Sequence, residues 1–120
     1  KLINLQEAVK IFVANQSSIK RIIGSRSHSN QTFDSWVNQN FPNSEIVQAG
    51  SSLKFCLIAE GAADIYPRFG PTSEWDIAAG HIIVNEAGGR VNTFENIEIN
   101  YNKKEDLLNP QFYAIGNYQL

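Results

Sequence analysis

From Ser18 onward, short apolar runs alternate with longer stretches whose apolar positions recur at helical spacing. That alternation predicts crossover units around a mainly parallel sheet. Lys20 to Ser25 reads as a first strand, and the polar loop Arg26 to Asn30 leads into a helix from Gln31 to Asn40. This helix sets Phe33, Trp36, Val37 and Phe41 on one stripe, and Pro42-Asn43 stops it. Glu45 to Gln48 forms a second short strand. Gly50-Ser51-Ser52 then opens an apolar helix that runs to Glu60 and ends at Gly61. In a third strand, Ala62 to Phe69, alternation sends Ile65, Pro67 and Phe69 to one face and Asp64, Tyr66 and Arg68 to the other. Pro67 predicts that regular pairing stops near the end of that strand. A helix from Glu74 to Ala87 is closed by Gly88-Gly89, and Arg90 to Phe94 and Phe112 to Gly116 complete the strands, with a turn at Asn109-Pro110 between them. Leu5 to Ala14 allows a helix, but Val9, Ile11 and Val13 alternate as a strand would. The expected fold class is α/β: an αβα sandwich with a mainly parallel, mixed five-stranded sheet flanked by helices.

Composition sharpens this picture without redirecting it. A chain of 120 residues, 42% of them hydrophobic, suffices for one core and one domain. The net charge of -2 excludes a basic face that grips nucleic-acid backbones, while local anion sites stay open. No apolar run approaches the roughly 20 residues that span a bilayer. Lys1 to Asn15 lacks a secretory pattern, so a cytoplasmic protein is expected. Cys56, the sole cysteine, lies in the apolar run Leu53 to Ile58 and is expected as a reduced core residue. The absence of Met and a charged fraction of 18%, against roughly 25% for an average domain, point to a piece of something longer. Abundant Asn, Gln and Ser wetting the surface would account for the low charge equally well.

In open α/β sheets the ligand crevice lies outside the carboxyl ends of the parallel strands. Four segments fall there: Ser25-Arg26-Ser27-His28, Gly50-Ser51-Ser52-Leu53-Lys54, Tyr66-Pro67-Arg68 and Ser73-Glu74-Trp75-Asp76. Ser51 and Ser52 at a helix start would present hydroxyls and free N–H groups to an anion, with Lys54 adding a charge. The plainer reading has the serines capping the helix and Lys54 solvated. Arg68, on the same side as Tyr66, suits forked phosphate binding or is an ordinary surface arginine. His28 could stack on a base or touch a phosphate, or be an ordinary loop histidine. Asp76 completes a Ser73-x-x-Asp76 capping box, or faces the crevice as an oxygen ligand for Mg²⁺. The small residues Ile77-Ala78-Ala79-Gly80 let that helix pack closely against a ligand, another domain or its own sheet. No His/Cys metal spacing, phosphate loop or dinucleotide fingerprint occurs, and one aspartate cannot assemble a two-metal site.

The run Glu74-Trp75-Asp76-Ile77-Ala78-Ala79-Gly80, continuing to Glu86-Ala87-Gly88-Gly89, resembles the C-terminal signature of the inositol monophosphatase superfamily of Mg²⁺-dependent phosphatases. Ser25-Arg26-Ser27-His28, Gly50-Ser51-Ser52-Leu53-Lys54-Phe55-Cys56, Tyr66-Pro67-Arg68-Phe69-Gly70-Pro71-Thr72 and Leu108-Asn109-Pro110-Gln111-Phe112 are similar to its 3'(2'),5'-bisphosphate nucleotidases of the CysQ type. The resemblance covers Ile22 to the C-terminus. It implies that Asp76 is a catalytic and metal-ligating aspartate, that His28, Ser51, Lys54 and Arg68 hold a nucleotide bisphosphate, and that Mg²⁺ is the cofactor. It further implies conversion of adenosine 3',5'-bisphosphate to AMP. Inositol or fructose phosphates, or a silent nucleotide-binding domain, are the alternatives. The family's Glu-Glu pair and Asp-Pro-Ile-Asp-Gly-Thr-like loop, from an N-terminal half, are not in this sequence. The expected partners are therefore the small-molecule nucleotide and that N-terminal half, and a chain inactive by itself is expected.

Overall fold

The computed structural model describes residues 10–15, 18–25, 31–50, 53–70, 72, 74–100 and 111–118. In chain order its elements are β1 (Arg21–Ser25), α1 (Gln31–Asn40), β2 (Glu45–Ala49), α2 (Leu53–Ala59), β3 (Ile65–Arg68), α3 (Glu74–Glu86), β4 (Arg90–Thr93) and β5 (Phe112–Ile115). The five strands form one sheet in the order β2-β1-β3-β5-β4. β1 pairs parallel with β2 and with β3, whereas β5 runs antiparallel between β3 and β4. Four strands thus share one direction and β5 alone is reversed, the mixed sheet that the sequence predicts.

Right-handed crossovers dictate where the helices go. The chain moves from β1 to one side to reach β2, then back across β1 to reach β3, so α1 and α2 must cover opposite faces. One core accordingly joins Ile23, Tyr66, Val91, Phe112 and Ala114 of the sheet with Phe55, Ile58 and Ala59 of α2 and Ile77 and Val84 of α3. The other joins Ile22, Ile65, Tyr113 and Ile115 with Val37, packed by Phe33, Trp36 and Phe41 on the α1 side. Strand neighbours such as Ile22 and Ile23, or Ile65 and Tyr66, fall into different cores, as period-two alternation demands.

Two helix ends explain the adjustments to the predicted bounds. At the end of α2, Gly61 has φ +80 and its N–H donates to Ile58 O, while Ala62 N–H donates to Leu57 O. Gly88, at φ +100, closes α3 likewise: Gly88 N–H donates to Asn85 O and Gly89 N–H to Val84 O. Both are paired six-to-one and five-to-two closures that need a left-handed residue. Because Ala62 and Ala63 both donate to Leu57 O, β3 starts at Ile65 rather than Ala62. Pro67 sits within β3 opposite Tyr113 of β5, and the β1 side pairs earlier, at Ile22↔Ile65, so the missing donor breaks no bond there.

Cys56 departs from expectation and is exposed. Lys54, Phe55, Ile58 and Ala59 form the inward stripe of α2, and Cys56 falls on the opposite side; a run apolar at every position but Lys54 does not reveal that phase. Of the ambiguous Leu5–Ala14 segment, the described residues are neither helix nor strand. Val13 N–H donates to Ala87 O, and Ala14 O accepts from Asn117 N–H, which ties this segment to the end of α3 and the exit of β5. The expected turn at Asn109-Pro110 lies outside the described residues. No described helix is long and apolar enough to cross a membrane.

Candidate functional site

The strand order reverses between β1 and β3, because β1 leads to β2 on one side and β2 leads to β3 on the other. A crevice forms at such a point, outside the carboxyl ends of the strands. β1 ends at Ser25, β2 at Ala49 and β3 at Arg68, and α2 and α3 begin at Leu53 and Glu74. The described ends of these strands and the starts of these helices, from which the four predicted segments run, therefore stand at this one edge.

Lys54 and Arg68 meet there. Lys54 is only 5% exposed, which removes the reading of a solvated lysine. Its Nζ lies 5.2 Å from the centre of the Tyr66 ring, an attraction between cation and ring face. Burial pushes the Lys54 ammonium below its ordinary pKa, and the positive charge of Arg68 pushes in the same direction. Burial raises the Tyr66 phenol above its ordinary pKa, and the nearby Arg68 charge acts against that rise. Two cations thus share one buried phenol, and no carboxylate among the described side chains forms a salt bridge with Lys54. Placing two like charges together in a poorly hydrated position is unfavourable by itself, and a bound anion would reverse the sign.

The other predicted residues divide by what the structure describes. Asp76 lies in the first turn of α3, at the crevice edge, and its side chain is outside the described set. His28 and Ser51 lie outside the described residues altogether. Among the described residues no group of three His, Cys, Asp or Glu side chains could hold a metal ion.

Sequence reasoning passed over the most heavily bonded carboxylate. Asp64, fully buried, accepts from Arg21 Nη2 at 2.9 Å, from Tyr118 Oη at 2.8 Å, and from the N–H groups of Lys20 and Arg21 at 2.9 and 2.7 Å. Burial alone would raise its pKa, but the Arg21 hydrogen bond and the other donors outweigh it and hold the carboxyl below its ordinary value. Asp64 precedes β3, at the edge opposite the crevice, so it is structural. Its sole signal in the sequence is position: an acid at the start of a strand whose neighbour opens with Lys20-Arg21.

A model of the inositol monophosphatase family matches residues 4–114. The chain belongs to the inositol monophosphatase family. Among its relatives in this family, a protein from Buchnera aphidicola called 3'(2'),5'-bisphosphate nucleotidase CysQ is 48% identical over 107 residues, covering 88% of this chain and 40% of that protein. The crystal structure of CysQ from Bacteroides thetaiotaomicron, a bacterial family member, superposes with a TM-score of 0.78 at 40% identity, over 89% of this chain and 41% of that one. The Thermotoga maritima inositol monophosphatase TM1415 gives a TM-score of 0.71 at 26% identity, over 91% and 41%. The chain spans about two-fifths of the length of these relatives. The family's mixed α/β sheet is the one described above.

Proposed function

We propose that this chain is the substrate-binding, C-terminal half of a phosphomonoester hydrolase that converts adenosine 3',5'-bisphosphate to AMP and phosphate. The observation that carries the reading is the buried Lys54 beside Arg68, at the edge where the strand order reverses. A phosphate dianion there would be attracted by both cations, Lys54 as a point charge and Arg68 through its planar fork. Relatives at 43–48% identity carry the name 3'(2'),5'-bisphosphate nucleotidase, which supports a nucleotide over other phosphate esters. In this reading His28 and Ser51 contact the base, ribose or second phosphate. Asp76 contributes one carboxylate toward Mg²⁺, and further carboxylates come from an N-terminal half. When bound, Mg²⁺ supplies an activated water and neutralises charge on the phosphoryl group.

The outer face of α3 supports that arrangement. Ile82 and Ile83 are 63% and 40% exposed and Ala79 is exposed beside them, although Ile77, Val84 and Ala87 bury the inner side. A helix apolar on both sides is covered on both sides, and we assign the second cover to the N-terminal half.

Phosphate release by the intact protein, compared across adenosine 3',5'-bisphosphate, inositol 1-phosphate and fructose 1,6-bisphosphate with and without Mg²⁺, tests the reading. The nucleotide is expected to be hydrolysed fastest and only with the metal. A preference for either sugar phosphate would overturn the substrate assignment. The 120-residue chain alone is expected to release no phosphate, and turnover by it would refute the two-part arrangement.

A further inference from the structure

α2 and α3 touch at a point where no side chain fits between them. A Cβ placed on Gly80 of α3 would lie 2.5 Å from Phe55 Cγ, 2.6 Å from Cδ2 and 2.8 Å from Cβ. These atoms stand at the root of the Phe55 side chain, so they cannot swing aside without an off-rotamer χ angle or movement of α2 itself. Glycine is also the poorer helix former in mid-helix, so its presence at position 80 favours close approach over local helix stability.

Phe55 passes that contact on. Its ring meets Tyr66 edge to face, with centroids 5.5 Å apart and planes at 85°, and stacks on Phe112 at 6.1 Å. Tyr66 and Phe112 close the triangle at 5.9 Å and 88°. The Tyr66 ring so held is the one beneath the Lys54 ammonium, and its phenol feels the Arg68 charge. Lys54 and Phe55 are adjacent in α2, so a displaced Phe55 carries Lys54 with it. Gly80 itself lies one turn along α3 from Asp76.

We infer that Gly80 and Phe55 are positioning residues: their contact fixes the Lys54 ammonium over Tyr66 and beside Arg68, and sets the distance of that cationic pair from the first turn of α3. The inference rests on the anion-binding reading of Lys54 and Arg68, and a measurement on the lysine itself separates the two.

The test is NMR of the 120-residue chain, following the Lys54 side chain through a pH titration and through addition of inorganic phosphate. Gly80→Ala is expected to move the Lys54 midpoint upward, toward that of a solvated lysine, and to weaken phosphate binding about tenfold, the scale of a small misplacement in a built site. Phe55→Leu added to Gly80→Ala gives back the volume and is expected to restore most of both. If Gly80→Ala does not fold, Phe55→Leu alone loosens the same contact and is expected to move the midpoint upward. A folded variant of either kind with an unchanged Lys54 midpoint overturns the inference. A wild-type chain that binds no phosphate overturns the anion reading instead, and the midpoint still decides the positioning role.

Discussion

Lys54 and Asp64 are both buried ionisable groups, and they do opposite work. Asp64 is surrounded by donors that favour its charged form, whereas burial and the Arg68 charge disfavour the charged form of Lys54. Lys54→Met is therefore expected to raise stability by about 1 kcal/mol, because an apolar stem of similar length replaces a desolvated charge. The same change is expected to abolish phosphate binding. Thermal melting with a phosphate titration checks both, and a lower melting temperature would make Lys54 structural. Its pH signature has a definite sign. The unfolded chain binds the Lys54 proton up to about pH 10.4, the folded chain only to a lower value, so stability rises with pH across that window. Lys54→Met removes the rise. Asp64→Asn, by contrast, leaves Arg21 and several N–H groups without their acceptor and is expected to cost about 3 kcal/mol in urea denaturation. Here the folded pKa is the depressed one. Stability from Asp64 is full above about pH 3.9 and drains away as pH falls toward the lower folded value, a loss the Asn variant does not show.

Elements were legible where local chemistry punctuates the chain. α1 occupies Gln31–Asn40, the predicted interval, because a polar loop precedes it and Pro42 follows. Gly61 and Gly88 end their helices in the left-handed conformation that the Gly positions announce. Gly61→Ala is expected to cost about 1–2 kcal/mol, since its φ of +80 strains any side chain and a Cβ would lie 3.1 Å from Phe12 O. Chemical denaturation measures this, and a loss below a few tenths of a kcal/mol would contradict the geometry. What the pattern hid was phase. In the run Leu53 to Ile58 every residue but Lys54 is apolar, so nothing local says that Lys54 turns inward while Cys56 turns out.

For the molecule as a whole, the exposed apolar face of α3 is the surface that the proposed function assigns to an N-terminal half. Replacing Ile82 and Ile83 together by Glu is expected to change stability by no more than about 0.5 kcal/mol, because neither contributes to the core on this side. Association with an N-terminal half supplied separately is expected to be lost. Circular dichroism reads the first effect and size-exclusion chromatography the second; a collapsed fold would place the two isoleucines in the core instead. The sequence by itself determined the alternation of strands and helices, the caps, the mixed sheet and the family, because periodicity, turn residues and a contiguous motif are local properties. It also determined which strand ends and helix starts stand at the carboxyl edge, since these follow from the order of the elements. Only the tertiary structure decided that Lys54 is buried over Tyr66 beside Arg68, that Asp64 ties Arg21 to Tyr118, and that Gly80 admits Phe55. Each of these joins residues from elements distant along the chain, and the energy of burying a charge depends on the surroundings that packing alone creates.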